Sequence, residues 1–116
     1  FDETLSVVQA VTRWLEFYKH ESCGKCTPCR EGTGWIAGTL EKFEAGTGSE
    51  SELGMLEEIC GQILGRSFCA LGDAAATPFP AALKHFPDEF LAGTHTAADA
   101  AFDPAAATVL TVGAAR

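Results

Sequence analysis

Cys23, Cys26 and Cys29 stand in one short run, Cys23-Gly24-Lys25-Cys26-Thr27-Pro28-Cys29, and Cys69 follows far along the chain. A two-residue gap lets successive thiolates curl around one small inorganic object, and a [4Fe–4S] cluster takes one cysteine sulfur at each of its irons. The triplet with a distant fourth cysteine therefore predicts such a cluster on Cys23, Cys26, Cys29 and Cys69, and a chain that carries single electrons without bond-making chemistry of its own. The common two-cluster ferredoxin run places its next cysteine three residues on, before a proline. Here Arg30-Glu31-Gly32 follows Cys29, so the fourth ligand must come from elsewhere. Structural zinc is the rival occupant. It accepts four cysteines, usually as two separated C-x2-C pairs, and would make the chain a zinc-stabilised interaction module with no redox role.

The residues between the cysteines suit a tight ligand loop. Gly24 permits a backbone path with positive φ, and Pro28 fixes one φ and lacks an N–H. Lys25 and Arg30 flank the ligands. They are either ordinary solvated charge or cations that favour the reduced, more negative cluster. Cys60 is read as a buried, inert thiol on an apolar helix stripe. His20 is read as a solvent-facing helix end, and His85 and His95 have no acidic or nucleophilic partner at suggestive spacing. Gly32-Thr33-Gly34 with Gly38 departs from the G-x-G-x-x-G dinucleotide fingerprint and follows a cysteine instead of a strand, so it is rejected as a nucleotide loop. Glu57 and Glu58 are neighbours on a helix that do not face each other, hence a solvated face.

Seven stretches must position these groups. Residues 2–20 read as a helix with Asp2 as N-cap and a stripe of Leu5, Val8, Val11, Leu15 and Tyr18. A cysteine loop from Glu21 to about Cys29 precedes a second helix, from near Cys29 to Glu44. Ser49 and Glu52 have capping-box spacing for a third helix to about Leu64, whose buried stripe is Leu53, Leu56, Ile59, Cys60 and Ile63, with Gly65 as its C′ residue. Residues 66–73 are a loop or the start of a short helix. Residues 80–86 resume helix, and Pro87 opens a last one before Gly93. The expected fold is all-α, an irregular four-helix bundle with a cluster-binding loop. Residues 1–93 form the helical domain and 94–116 an Ala/Thr-rich, weakly ordered tail, with a short alternating run at Thr108–Val112.

Composition narrows the function classes. The chain has 116 residues, 47% of them apolar, which fits one globular domain. A net charge of −8 disfavours nucleic acid and anionic membranes. No apolar run approaches the ~20 residues of a membrane-spanning helix, and no signal peptide is read. Five cysteines are an odd number, which argues against a complete disulfide framework and for the reduced thiols of a cytosolic setting. Phe1 in place of an initiator Met is read as the start of an excised piece.

Two segments carry a resemblance. Glu21-Ser22-Cys23-Gly24-Lys25-Cys26-Thr27-Pro28-Cys29-Arg30-Glu31-Gly32 resembles the signature of the NADH-binding flavoprotein subunit of respiratory complex I. Ser67-Phe68-Cys69-Ala70-Leu71-Gly72-Asp73 is similar to the segment holding that family's fourth ligand. The likeness covers about residues 2–92 and is to the subunit's C-terminal [4Fe–4S] domain. It implies Cys23, Cys26, Cys29 and Cys69 as ligands. It also implies a place after FMN in a path from NADH to quinone, with NADH and FMN held by upstream domains of the same subunit and the next clusters in neighbouring iron–sulfur subunits. No catalytic, NAD or FMN residue is assigned in this chain, and NADH oxidation is not expected of it alone. The implied location is cytoplasmic, in the peripheral arm of a membrane-bound complex, with no direct membrane insertion. NAD-reducing hydrogenases and NAD-linked formate dehydrogenases are the alternative parents.

Overall fold

The computed structural model describes residues 2–94. They form six helices in the order α1 (Val7–Glu21), α2 (Thr27–Glu44), α3 (Glu50–Ile63), α4 (Ala70–Ala76), α5 (Pro78–His85) and α6 (Pro87–Ala92). The all-α expectation holds: three longer helices pack together, and three short ones complete the bundle. The alternating run at Thr108–Val112, His95 and all of the expected tail beyond Thr94 lie outside the described residues.

The core is where the apolar stripes meet. Val8, Val11 and Leu15 of α1, Ile36, Leu40 and Phe43 of α2, and Leu53, Leu56 and Ile63 of α3 are all buried. Phe79 of α5 and Phe90 of α6 close the far side with an edge-to-face ring contact at 5.4 Å between centroids. Burying one such apolar side chain is worth about 1.5–3 kcal/mol, so the stripes do more to fix the bundle than helix propensity does.

Helix starts are where the sequence reading needs correction. Asp2 does not cap α1. Its carboxylate accepts bonds from the Thr4 hydroxyl and N–H, and this hydrogen bonding holds it below its ordinary pKa. Ser6 is the N-cap and accepts from Gln9 N at 3.3 Å. Glu89 of α6 reaches across to accept from Val7 N at 2.8 Å. α2 begins at Thr27, two residues earlier than expected, with Cys26 as N-cap. Pro28 falls in its first turn, where a missing N–H leaves no bond unmade. The capping box of Ser49 and Glu52 starts α3 as predicted, and Gly65 follows its end.

Glycines in α2 divide by environment. Gly34 and Gly38 face open space, whereas Gly32 is buried against Ile63. Gly32 is a packing residue, in keeping with the rejection of a nucleotide loop.

Candidate metal centre

The loop between α1 and α2 is shaped by three local bonds. Ser22, the C-cap of α1, donates its N–H to Tyr18 O. Its hydroxyl lies 3.4 Å from the Gly24 N–H nitrogen, which donates to it, and 3.4 Å from Cys29 Sγ. Gly24 has φ +79, the left-handed path that a glycine adopts without strain. Arg30 donates from Nη1 to Gly24 O at 2.8 Å and from Nε to Glu31 at 2.8 Å. The guanidinium thus clamps the loop between two ligand candidates. Lys25 lies exposed on the same loop.

The fourth cysteine arrives on a separate element. Cys69 is the N-cap of α4, as Cys26 is of α2, and neither side chain caps its own helix. The Phe68 N–H donates to Cys26 Sγ at 3.3 Å. This contact joins the segment before Cys69 to the triplet loop across 42 positions of sequence. Exposure grades the four thiols: Cys29 is buried, Cys26 half-buried, Cys23 and Cys69 exposed. The positive end of the α2 dipole points toward an anion held at Cys26.

Two glycines let α2, which carries Cys29, and α4, which has Cys69 as its N-cap, close on α3. Gly32 lies three residues after Cys29 on α2, and Gly72 three after Cys69 on α4. A Cβ on Gly32 would stand 2.5 Å from Ile63 Cδ1. A Cβ on Gly72 would strike the Ser67 side chain and stand 3.4 Å from Ile63 Cγ2. Ile63, 1% exposed, is therefore the common seat of both helices.

Other candidate residues fall outside this region. Cys60 is in the core, 3% exposed. Burial, with the Glu57 charge adding to it, pushes its thiol up to about 12, which leaves it protonated and unreactive. His20 stands at the exposed end of α1, 4.0 Å from Glu21. His85 is exposed in the last turn of α5.

Among the described residues no three His, Cys, Asp or Glu side chains stand close enough to hold a single ion between them. A four-iron cubane takes one sulfur at each of four separate irons and spreads its ligands more widely than one ion does. The donor chemistry fits such a group. Four thiols lie on elements joined at Cys26 and Phe68, with a backbone N–H on one sulfur and a hydroxyl on another. Ser67 Oγ is buried and makes no hydrogen bond within the described protein. Sequence reasoning named the cysteines but missed Ser22, Ser67, Gly72 and the Phe68 N–H. The spacing Cys-x-x-Gly, present at 29–32 and again at 69–72, was a readable signal for the glycines.

Comparison with known proteins adds four findings. A family profile described as the NADH-ubiquinone oxidoreductase-F iron-sulfur binding region matches residues 9–93. The F subunit of NADH-quinone oxidoreductase from Mycobacterium tuberculosis is 61% identical over 92 residues, 79% of this chain and 21% of that protein. Its counterpart in Streptomyces coelicolor is 56% identical over 108 residues, 93% of this chain and 24% of that protein. The chain thus spans less than a quarter of the length of these relatives. Among solved structures, a crystal structure of an NAD+-reducing [NiFe]-hydrogenase in the H2-reduced state is similar, with a TM-score of 0.78 at 36% identity. That match covers 82% of this chain and 17% of the hydrogenase chain.

Proposed function

The chain belongs to the family of the NADH-ubiquinone oxidoreductase-F iron-sulfur binding region, and from that premise we propose that it is a one-electron relay domain of an NADH dehydrogenase. Cys23, Cys26, Cys29 and Cys69 hold one [4Fe–4S] cluster in this reading. When bound, the cluster takes up and releases one electron at a time. The observation that carries the assignment is the 3.3 Å bond from Phe68 N–H to Cys26 Sγ, which ties the lone distant cysteine's segment to the triplet.

The chain's own residues do three things. The thiols bind, and the two helix N-caps orient two of them. The N–H of Phe68 and the hydroxyl of Ser22 stabilise charge on sulfur, as outer-shell bonds do at metal sites generally. Arg30 holds the loop closed through Gly24 O and brings a positive charge beside the ligands. In the parent subunit an upstream FMN would supply the electrons singly, after taking a hydride's pair from NADH. Both nucleotides are held by upstream domains of the parent subunit. The path leads toward quinone through neighbouring iron–sulfur subunits. Exposed apolar side chains suit such covered surfaces: Trp35 is 61% and Phe68 89% exposed. Among the described residues no helix is long and apolar enough to cross a membrane, and the reading puts the chain in the peripheral arm, on the cytoplasmic side. The hydrogenase likeness supports a second parent, an NAD-reducing hydrogenase, with the same task for this domain.

Anaerobic reconstitution of the chain tests the proposal. Iron and acid-labile sulfide should each approach about four per chain, with a low-temperature EPR signal after dithionite reduction and no NADH oxidation. A single zinc, or no signal from reduced iron, overturns it.

A further inference from the structure

The geometry points to Ser67 as a positioning residue whose hydroxyl donates a hydrogen bond to a sulfur of the bound cluster and raises its midpoint potential, an inference that rests on the cluster reading above. Ser67 Oγ is buried and has no hydrogen-bond partner among the described residues. A buried hydroxyl without a partner destabilises a fold, so its retention needs a reason. Packing supplies none, because alanine would keep the Cβ and leave nothing unpaired.

The surroundings are arranged to keep that oxygen. Gly72 lies directly against the Ser67 side chain, and any Cβ there would collide with both Ser67 Oγ and Cβ. The next residue, Phe68, gives its N–H to Cys26 Sγ at 3.3 Å. Cys69 begins α4 one residue later. Ser67 is therefore the immediate neighbour of the residue whose N–H meets Cys26 Sγ, and it stands two positions before Cys69. Sulfur in an anionic cluster accepts hydrogen bonds, and accepts them more strongly in the reduced state, which carries the extra negative charge. A donor there favours reduction.

The test compares wild type, Ser67→Ala and Ser67→Thr in the full chain after anaerobic reconstitution, by iron and sulfide content and by EPR-monitored redox titration. Thermal unfolding of the cluster-free forms runs alongside. Wild type and Ser67→Thr should load and titrate close together, and Ser67→Ala should load with its midpoint shifted to more negative potential. Without cluster, Ser67→Ala should be at least as stable as wild type, because it removes an unpaired oxygen. A Ser67→Ala midpoint equal to wild type overturns the inference. A less stable cluster-free Ser67→Ala also overturns it, since the hydroxyl would then have a partner in the protein. If Ser67→Ala fails to load while Ser67→Thr loads, the inference stands. If both fail, Ser67 serves packing alone and the inference falls. Wild type that takes up no iron or sulfide removes the cluster reading itself, a failure separate from any shift between variants.

Discussion

Gly32 and Ile63 are packed so closely that a methyl group on Gly32 would stand 2.5 Å from Ile63 Cδ1 and 2.8 Å from Cγ1. Ile63 also underlies Gly72, so this contact sets how near the start of α2 comes to the start of α4. Gly32→Ala should therefore act at a distance from any thiol. Overpacking of this kind costs about 1–3 kcal/mol, and the parted helices should lower cluster loading. Gly34→Ala is the control: nothing lies within 4 Å of its Cβ position, and the substitution should stabilise the helix by about 0.5–1 kcal/mol. Thermal unfolding with iron analysis checks both. A Gly32→Ala chain as stable and as well loaded as wild type would refute the shared seat.

The ligand set separates two cysteines only nine positions apart. Cys69→Ala should abolish stable loading. Cys60→Ala should load normally but unfold more easily, by about 1–3 kcal/mol for a small buried side chain removed from the core. Iron and sulfide content per chain distinguishes them, and equal losses in both variants would undo the assignment.

Cys60 also gives the cluster-free chain an alkaline limit. Burial and the Glu57 charge raise its folded pKa to about 12, above the ~8.5 of an unfolded thiol. The contribution is complete below the unfolded value. It is lost as pH rises toward the folded value, because only the unfolded chain gives up the proton. Stability should fall there by at most roughly 1.4 kcal/mol per pH unit from this group. The difference between wild type and Cys60→Ala, followed by denaturant unfolding from pH 7 to 11, should hold up to about pH 8 and shrink above it. A constant difference rejects the account.

Glu89 joins the last helix to the first by accepting from Val7 N at 2.8 Å. Glu89→Ala should cost about 0.5–2 kcal/mol, the range for a lost helix cap. Gln retains an oxygen acceptor and should recover part of it. Hydrogen exchange should show the loss concentrated in the first turn of α1, and uniform deprotection would contradict it.

How much of this is legible in the sequence depends on how local each cause is. α3 reads correctly because its cap, Ser49 with Glu52, and its stripe are near neighbours in sequence. The start of α1 does not, because Asp2 and Ser6 are both good caps, and the choice turns on Thr4 occupying Asp2 and on Glu89 arriving from α6. The start of α2 reads late because Pro28 looks like a breaker, although a first-turn proline starts a helix well. The pattern of Cys23, Cys26, Cys29 and Cys69 can be noticed without any tertiary information. Ser67 is not, since its significance lies in a contact with Gly72 and in the lack of a protein partner among the described residues, both tertiary facts.

The graded exposure of the four thiols leaves two of them open to attack. A small alkylating reagent applied to the cluster-free chain should mark Cys23 and Cys69 before Cys26, and Cys29 last. In the cluster proposed above, Cys23 and Cys69 would be the sulfurs that oxygen and competing metals reach first. The lifetime of such a centre in air would then depend less on the bundle than on whatever neighbour covers those two residues.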